Sequence, residues 1–255
     1  IWLKGAGIGA TTLRSEVTST PGIIGPPHLG MHLSNFSLYR GLTFTALPGA
    51  AVAGNYGIYD KGLDAPDVII ERVMVLQFAN SAIVVEGATG PRVIRDCPLT
   101  LNAGYGIEIR NAGVHVPQNV NVIGGSISDS WGGVEVKNSL GCHIQDVDIE
   151  LQDNAKYPAL YVHASSFGCQ FSNLTVSIVA GSVVPLGGVI VLDGSAGNVF
   201  EGGINYCTEP TLPNVFLTGA GTQRNTFIGG AYVGAGVGAS RYPFEISGAT
   251  LTTII

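Results

Sequence analysis

The chain has 255 residues, of which 37 are glycine and only 12 % are charged, against 45 % hydrophobic, and its formal net charge is −6. Such a composition excludes a disordered chain, which needs low hydrophobicity and high net charge, and a collagen, which needs glycine at every third place. It also lacks the basic footprint that holds a nucleic-acid backbone, and its bias toward Gly, Val, Ile, Asn and Thr is wrong for a helical bundle.

From the amino end, Ile1-Trp2-Leu3-Lys4-Gly5-Ala6-Gly7 and Thr11-Thr12-Leu13 read as an early strand-and-turn unit. The segments Pro21 to Pro27 and Ala46 to Tyr56 read as loop excursions, of the kind that wall a groove. Beyond them one motif recurs: a small residue, alternating apolar positions, then a polar or glycine stop. Its copies are Gly57-Ile58-Tyr59, Ala82 to Gly87, Gly106 to Asn111, Gly133 to Asn138, Ala159 to Ala164, Gly188 to Asp193, Asn214 to Gly219 and Pro243 to Gly248, at a mean spacing of about 27 residues.

A second motif is interleaved with the first: an apolar residue, one variable residue, then Asn, Asp or Gly. It runs Leu33-Ser34-Asn35, Ile94-Arg95-Asp96, Val122-Ile123-Gly124, Ile144-Gln145-Asp146, Phe171-Ser172-Asn173, Phe200-Glu201-Gly202 and Phe227-Ile228-Gly229, with Ile70-Glu71-Arg72 as an irregular copy. Asn, Asp and Gly tolerate positive φ, so this motif predicts a one-residue bend between two strands. A strand and a bend repeating at one period predict an all-β solenoid, residues 1–255 forming a single domain. About nine coils of ~27 residues stack in parallel, giving a shaft roughly 40 Å long.

Four cysteines, Cys97, Cys142, Cys169 and Cys207, are too few and too spread for a disulfide scaffold or a zinc site. The longest apolar stretch, Ile178 to Leu192, is interrupted by Ser182, Pro185 and three glycines and falls short of the ~20 residues of a spanning helix. Neither a nucleic acid nor a membrane span is expected. The chain opens without methionine and closes on Thr252-Thr253-Ile254-Ile255 within a strand-like pattern, so a piece of a longer chain is expected.

The coil pattern and the opening segment resemble the right-handed parallel β-helix proteins of the pectate-lyase-like superfamily, and within it phage tailspikes most. The resemblance implies a right-handed, single-stranded parallel β-helix with a polysaccharide as substrate or receptor. Tailspikes further imply a homotrimer, an extracellular or virion-tail location and host attachment. No catalytic motif of that superfamily matches residue by residue, so no role is carried over from it.

Side chains alternate between faces along a strand. With Ile107, Ile109, Val134, Val136, Leu160, Val162, Val189 and Val191 inward, two outward columns are expected. One is Val84, Glu108, Glu135, Tyr161, Ile190, Phe216 and Glu245. The other is Glu86, Arg110, Lys137, His163, Leu192, Thr218 and Ser247.

Glu108, Glu135, His163, Arg110 and Lys137 are therefore the candidate catalytic residues, with Tyr161, Glu86 and Phe216 as substrate contacts. Glu108 and Glu135 lie one coil apart, with Cα atoms ~4.8 Å from each other; like charges at that range raise the pKa of one and give an acid/base pair. A hydrolase would use the two carboxylates. A lyase would use Arg110 or Lys137 against uronate charge and His163 or Tyr161 as proton acceptor; a secreted monomeric lyase or epimerase is the alternative to the tailspike. Ordinary cross-strand pairing, at ~0.2–1 kcal/mol per pair, accounts for the same residues on a non-catalytic shaft.

No cofactor is expected. Calcium is the one alternative, from the acidic run Asp146, Asp148, Glu150 and Asp153 beside Ser126, Ser128, Thr175 and Ser177. Cys142, Cys169, Asn198 and Asn225 are expected in one column, the cysteines as buried thiols and the asparagines as an amide ladder. Gly229, Gly230, Gly234, Gly236 and Gly238 lack the lysine and helix of a phosphate loop. Val84, Ile190, Leu192, Phe216 and Val233, read as exposed apolar area, supply the motive for trimerisation.

Overall fold

The computed structural model describes residues 2–16, 19–25, 29–40, 50–62, 67–152, 155–179, 186–207, 212–234, 243–250 and 252–255. Residues 26–27 and 46–49 of the two loop excursions, together with Asp153, Ser182, Pro185, Gly236 and Gly238, lie outside them. Among the described residues there are strands and turns and no helix, hence no helix long and apolar enough to cross a membrane.

One coil shows the construction. Val120–Ile123 runs to a bend at Gly124, Ser126–Ser128 leaves the bend on a second face, and Gly132–Lys137 crosses to a second sheet. The next coil repeats this with His143–Gln145, Asp148–Leu151 and Leu160–His163. Val122 pairs with Ile144, Ile127 with Ile149 and Val134 with Leu160, all in parallel register. This is a parallel β-solenoid.

In the second sheet the stack is Ile23–Gly25, Ile58–Asp60, Ile83–Glu86, Tyr105–Arg110, Gly132–Lys137, Leu160–His163, Ile190–Asp193, Val215–Thr218 and Phe244–Ser247. Nine strands are separated by eight coil-to-coil steps, so the solenoid has about eight turns, one fewer than expected.

All eight bend positions have positive φ: Asn35 58°, Arg72 51°, Asp96 50°, Gly124 64°, Asp146 56°, Asn173 51°, Gly202 65° and Gly229 62°. At Gly202 the requirement is doubled, because an added Cβ there would sit 2.9 Å from Asn173 Oδ1. The bend works because each apolar residue two places earlier points inward; Ile70, Ile94, Ile144, Phe171 and Phe227 are all buried. Each such side chain contributes ~1.5–3 kcal/mol by leaving water. Phe171, Phe200 and Phe227 stack through the core at centroid spacings of 4.6 and 4.5 Å.

The amide ladder is present. Asn198 Nδ2 and its backbone N–H both donate to Asn225 Oδ1, at 2.9 and 3.1 Å, and Cys169 N–H donates to Asn198 Oδ1 at 3.0 Å. All four cysteines are free, buried thiols. Hydrogen bonding to Cys169, then burial, holds the Cys142 thiol well above the usual thiol range.

Two features depart from the sequence reading. In the strand Ile190–Asp193, Leu160 pairs with Ile190 and His163 with Asp193, so Ile190 and Leu192 point inward while Val191 and Asp193 take the outward columns. Four consecutive apolar residues, Val189 to Leu192, carry no period-2 signal, and the frame slips by one. Ile190 and Leu192 are therefore buried rather than exposed; Val84 keeps its outward place beside Glu108 yet is also buried, and of the apolar residues offered as an interface only Phe216, half-buried, and Val233 meet solvent.

The second departure is a buried ion pair across the core. Asp60, two places after inward Ile58, and Arg92, two places before inward Ile94, both face inside and are fully buried. Arg92 Nε donates to Asp60 Oδ2 at 2.7 Å, and Arg92 Nη2 to the Gly62 carbonyl at 2.7 Å.

Candidate functional site

The register of the second sheet places Glu108 beside Glu135 and Glu135 beside Tyr161 in one outward column, with Arg110, Lys137, His163 and Asp193 in the next. The surface expected from the sequence is thus formed. Tyr56, Ser81, Tyr105, Glu108, Arg110, Glu135, Tyr157, Tyr161 and Leu186 are among the side chains lining an open groove of about 440 Å³ over these strands.

Glu108 lies at the floor, only 8 % exposed. Its Oε1 is ion-paired to Arg110 and its Oε2 accepts a hydrogen bond from Ser81 Oγ at 3.0 Å. Burial pushes the carboxyl above the usual carboxylate range; the Arg110 charge opposes this, and Glu135 adds to it. Glu135 Oε1 meets His163 Nε2 at 3.0 Å, and the His163 ring is stacked on Tyr161 at 3.9 Å and 5°. Glu135 thus has a partner that is itself fixed by stacking.

Arg110 is enclosed on several sides. Besides Glu108, its Nε donates to Glu86 Oε2 at 2.6 Å, its Nη2 donates to Tyr56 Oη at 3.3 Å, and its guanidinium lies 5.3 Å over the Tyr56 ring. Burial lowers its affinity for a proton, but Glu108, Tyr56 and Glu86 outweigh burial and hold it fully charged. Glu86 also accepts from Tyr59 Oη at 2.8 Å. Burial, followed by the bond to Glu86, pushes the Tyr59 phenol to about 12.

Lys137 stands exposed in the column between Arg110 and His163, off the groove floor. Phe216 is half-buried and packs on an outward apolar cluster of Tyr105, Tyr161 and Val191. The slip places Val191, expected inward, in the outward column beside Tyr161, where Ile190 was expected. Tyr161 Oη donates to Asp193 Oδ2 at 3.4 Å, and burial, then the Asp193 and Glu135 charges, push its phenol to about 12.

The aromatic walls were missed by the sequence reading. Tyr105 stacks on Tyr157 with centroids 5.0 Å apart, and Tyr157 lies 6.5 Å from Trp131. Gly132, the register partner of Tyr105, permits this: a Cβ there would lie 2.7 Å from the Tyr105 ring and 2.8 Å from Tyr157 Cβ. The signal in the sequence was an aromatic opposite a glycine one coil on. Tyr157 is fixed by the backbone N–H groups of Lys156 and Tyr157, which both donate to the Trp131 carbonyl, at 2.9 and 2.8 Å, and by Lys156 Nζ over the Trp131 ring.

In the acidic run, Asp148 and Glu150 are exposed on the other sheet. Glu150 accepts from Gln152 at 2.9 Å and Asp146 from Asn173 at 3.3 Å. Among the described residues no three His, Cys, Asp or Glu side chains converge as metal ligands.

No family model and no curated protein matches this chain. Solved structures do match it. The Agl-KA catalytic domain is 13 % identical, with a TM-score of 0.51 over all of this chain and 58 % of its own length, so this chain spans little more than half of it. The A-modules of the mannuronan C-5 epimerases AlgE6 and AlgE4 from Azotobacter vinelandii are 14 % and 13 % identical. Their TM-scores are 0.48 and 0.47, over 100 % and 98 % of this chain and 82 % and 80 % of theirs. At such identity the Agl-KA match speaks for the solenoid fold and no further.

Proposed function

We propose that this chain binds a neutral polysaccharide in the tyrosine-lined groove and hydrolyses it, with Glu108 giving the proton to the glycosidic oxygen and Glu135 acting on the anomeric carbon. The observation that carries this reading is the Glu108–Glu135 register pair: two carboxylates on adjacent coils, one of them driven upward in pKa by burial and by the other. Tyr105, Tyr157 and Tyr161 offer flat apolar faces for sugar rings.

Charge selects the substrate class. With Glu108 protonated as the acid, Glu86 and Glu135 still outnumber Arg110, and Arg110 is already closed between Glu86 and Glu108. A polyuronate would meet net repulsion there, which disfavours the lyase and epimerase readings. A Tyr161 phenol at about 12 also holds its proton at neutral pH and serves poorly as their base. Neighbouring coils bring the two carboxylates to one glycosidic bond, and we assign them the retaining roles, Glu135 as nucleophile and His163 as its positioning partner.

The test is incubation with a panel of neutral and uronate polysaccharides. New reducing ends from a neutral glycan, released with retained anomeric configuration by proton NMR, are the expected outcome. Unsaturated uronate absorbance would replace this reading with the lyase one, and absence of any product across the panel would leave a binding shaft.

The wider setting we propose is an extracellular, tailspike-like particle acting on host surface glycan as a homotrimer. Its support is an exposed apolar strip on the outer face of the last coils, where Ile204 pairs with Ala231 and Tyr206 with Val233. Sedimentation at three times 26.3 kDa is expected; a monomer would favour a secreted enzyme.

A further inference from the structure

A second aromatic platform lies on the other sheet, at the first coils, in a place the groove above does not use. Trp2 pairs in register with His32, and their rings stack at 5.6 Å and 9°. Trp2 is nevertheless 73 % exposed, against 5 % for Trp131. The ring face turned away from His32 is open to solvent.

His32 has polar support of its own. His32 Nε2 meets Glu71 Oε1 at 3.3 Å, and Arg72 Nη2 donates to the same oxygen at 3.4 Å. The stacked pair is thus held from behind by a chain of polar contacts. A groove of about 330 Å³ opens beside it, lined by Trp2, Gly30, Met31, His32, Asp67 and Ile69.

We propose that this groove is a second saccharide-binding site, with the Trp2 ring as the stacking face and Asp67 as acceptor for sugar hydroxyls. The class of ligand follows from charge. Two carboxylates, Asp67 and Glu71, are offset by Arg72 and by Lys4, which lies across Ser34 from Glu71 in the register. The balance selects a neutral saccharide over an anionic or cationic polymer. Carboxylate oxygens around an apolar platform match the two surfaces of a sugar ring, its C–H face and its hydroxyl edge. A site remote from the tyrosine groove would tether a polymeric ligand and raise its effective concentration there. The inference holds whether or not the groove hydrolyses its ligand.

The two tryptophans make the test separable, because acrylamide reaches exposed Trp2 and not buried Trp131. Neutral gluco-, manno- and galacto-oligosaccharides are titrated into the whole chain and into the Glu108→Gln/Glu135→Gln variant, with acrylamide quenching as readout. Protection of Trp2 is expected in both proteins. Trp2→Ala is expected to weaken retardation in gels containing the dissolved polysaccharide by about 30-fold, the cost of truncating an aromatic anchor, with His32→Gln giving a smaller loss. Cleavage of short substrates should be unchanged in Trp2→Ala, which separates failure of this site from failure of the groove. Quenching unaffected by every saccharide overturns the proposal. So does quenching that falls with protein concentration alone, which would mean that a second copy covers Trp2.

Discussion

Glu108→Gln is expected to lower the rate of glycan cleavage by about 10²–10⁴-fold, the range for a lost general acid, while leaving affinity for the same glycan near that of the unaltered protein. The asymmetry follows from position: the carboxyl sits at the floor under the tyrosine walls, where it contributes little contact area but has its pKa held above the usual carboxylate range. The cause is burial first, with the neighbouring Glu135 charge adding to it and Arg110 opposing it. Activity should fall as pH rises through the raised Glu108 pKa, and the basic limb of the pH profile should disappear in the variant along with the rate.

Stability carries the same signature. A carboxyl whose folded pKa lies above its unfolded value binds more protons when folded, so its contribution is complete below the unfolded pKa and is lost as pH rises through the folded one. Urea titrations across that window should show the unaltered protein losing stability with pH and Glu108→Gln losing less. If Glu108→Gln cleaves at the original rate with the original pH profile, the groove is not a hydrolytic site.

Much of this site was legible before any coordinates. The period of about 27 residues placed Glu108, Glu135 and Tyr161 in one column and Arg110, Lys137 and His163 in the next, because a parallel stack converts a sequence repeat directly into a spatial one. The bend motif was legible for the same reason, down to Arg72, where an unfavourable residue takes the left-handed conformation with φ 51°. The frame failed at Val189 to Leu192, where every residue is apolar and alternation says nothing. It failed also at part of the walls: Tyr157 and Leu186 lie outside the repeated strands, and a repeat cannot register what it does not contain, whereas Tyr56 ends a segment read as a groove-walling loop and does line the groove. Asp60 and Arg92 were a different omission. Both sit at inward places of the pattern, and applying the period to charged residues as strictly as to apolar ones would have found them.

Those two residues carry the largest expected effect on folding. Asp60→Ala or Arg92→Ala is expected to destabilise the chain by about 3–5 kcal/mol, the cost of leaving one buried charge without its partner. Asp60 and Arg92 are both 0 % exposed, so water cannot replace the lost group. Asp60 Oδ1 also accepts from Gly62 N–H at 3.1 Å, and the Arg92 guanidinium spans from Asp60 to the Gly62 carbonyl. Each single change therefore strands several polar groups at once. Gly25 adds to the constraint, since a Cβ there would lie 3.3 Å from Asp60 Oδ1.

The pair need not be net stabilising for this to hold. Taking both charges out of water offsets most of their attraction, so Asp60→Leu combined with Arg92→Met is expected to recover most of the loss. In a stack of coils that touch only their neighbours, the damage should also be local. Hydrogen exchange is expected to quicken first around Ile58–Asp60 and Arg92–Arg95, with Thr226–Ile228 keeping its protection. Equal destabilisation by the two single changes and the double one would show that packing volume, and not the charge pair, holds these coils together.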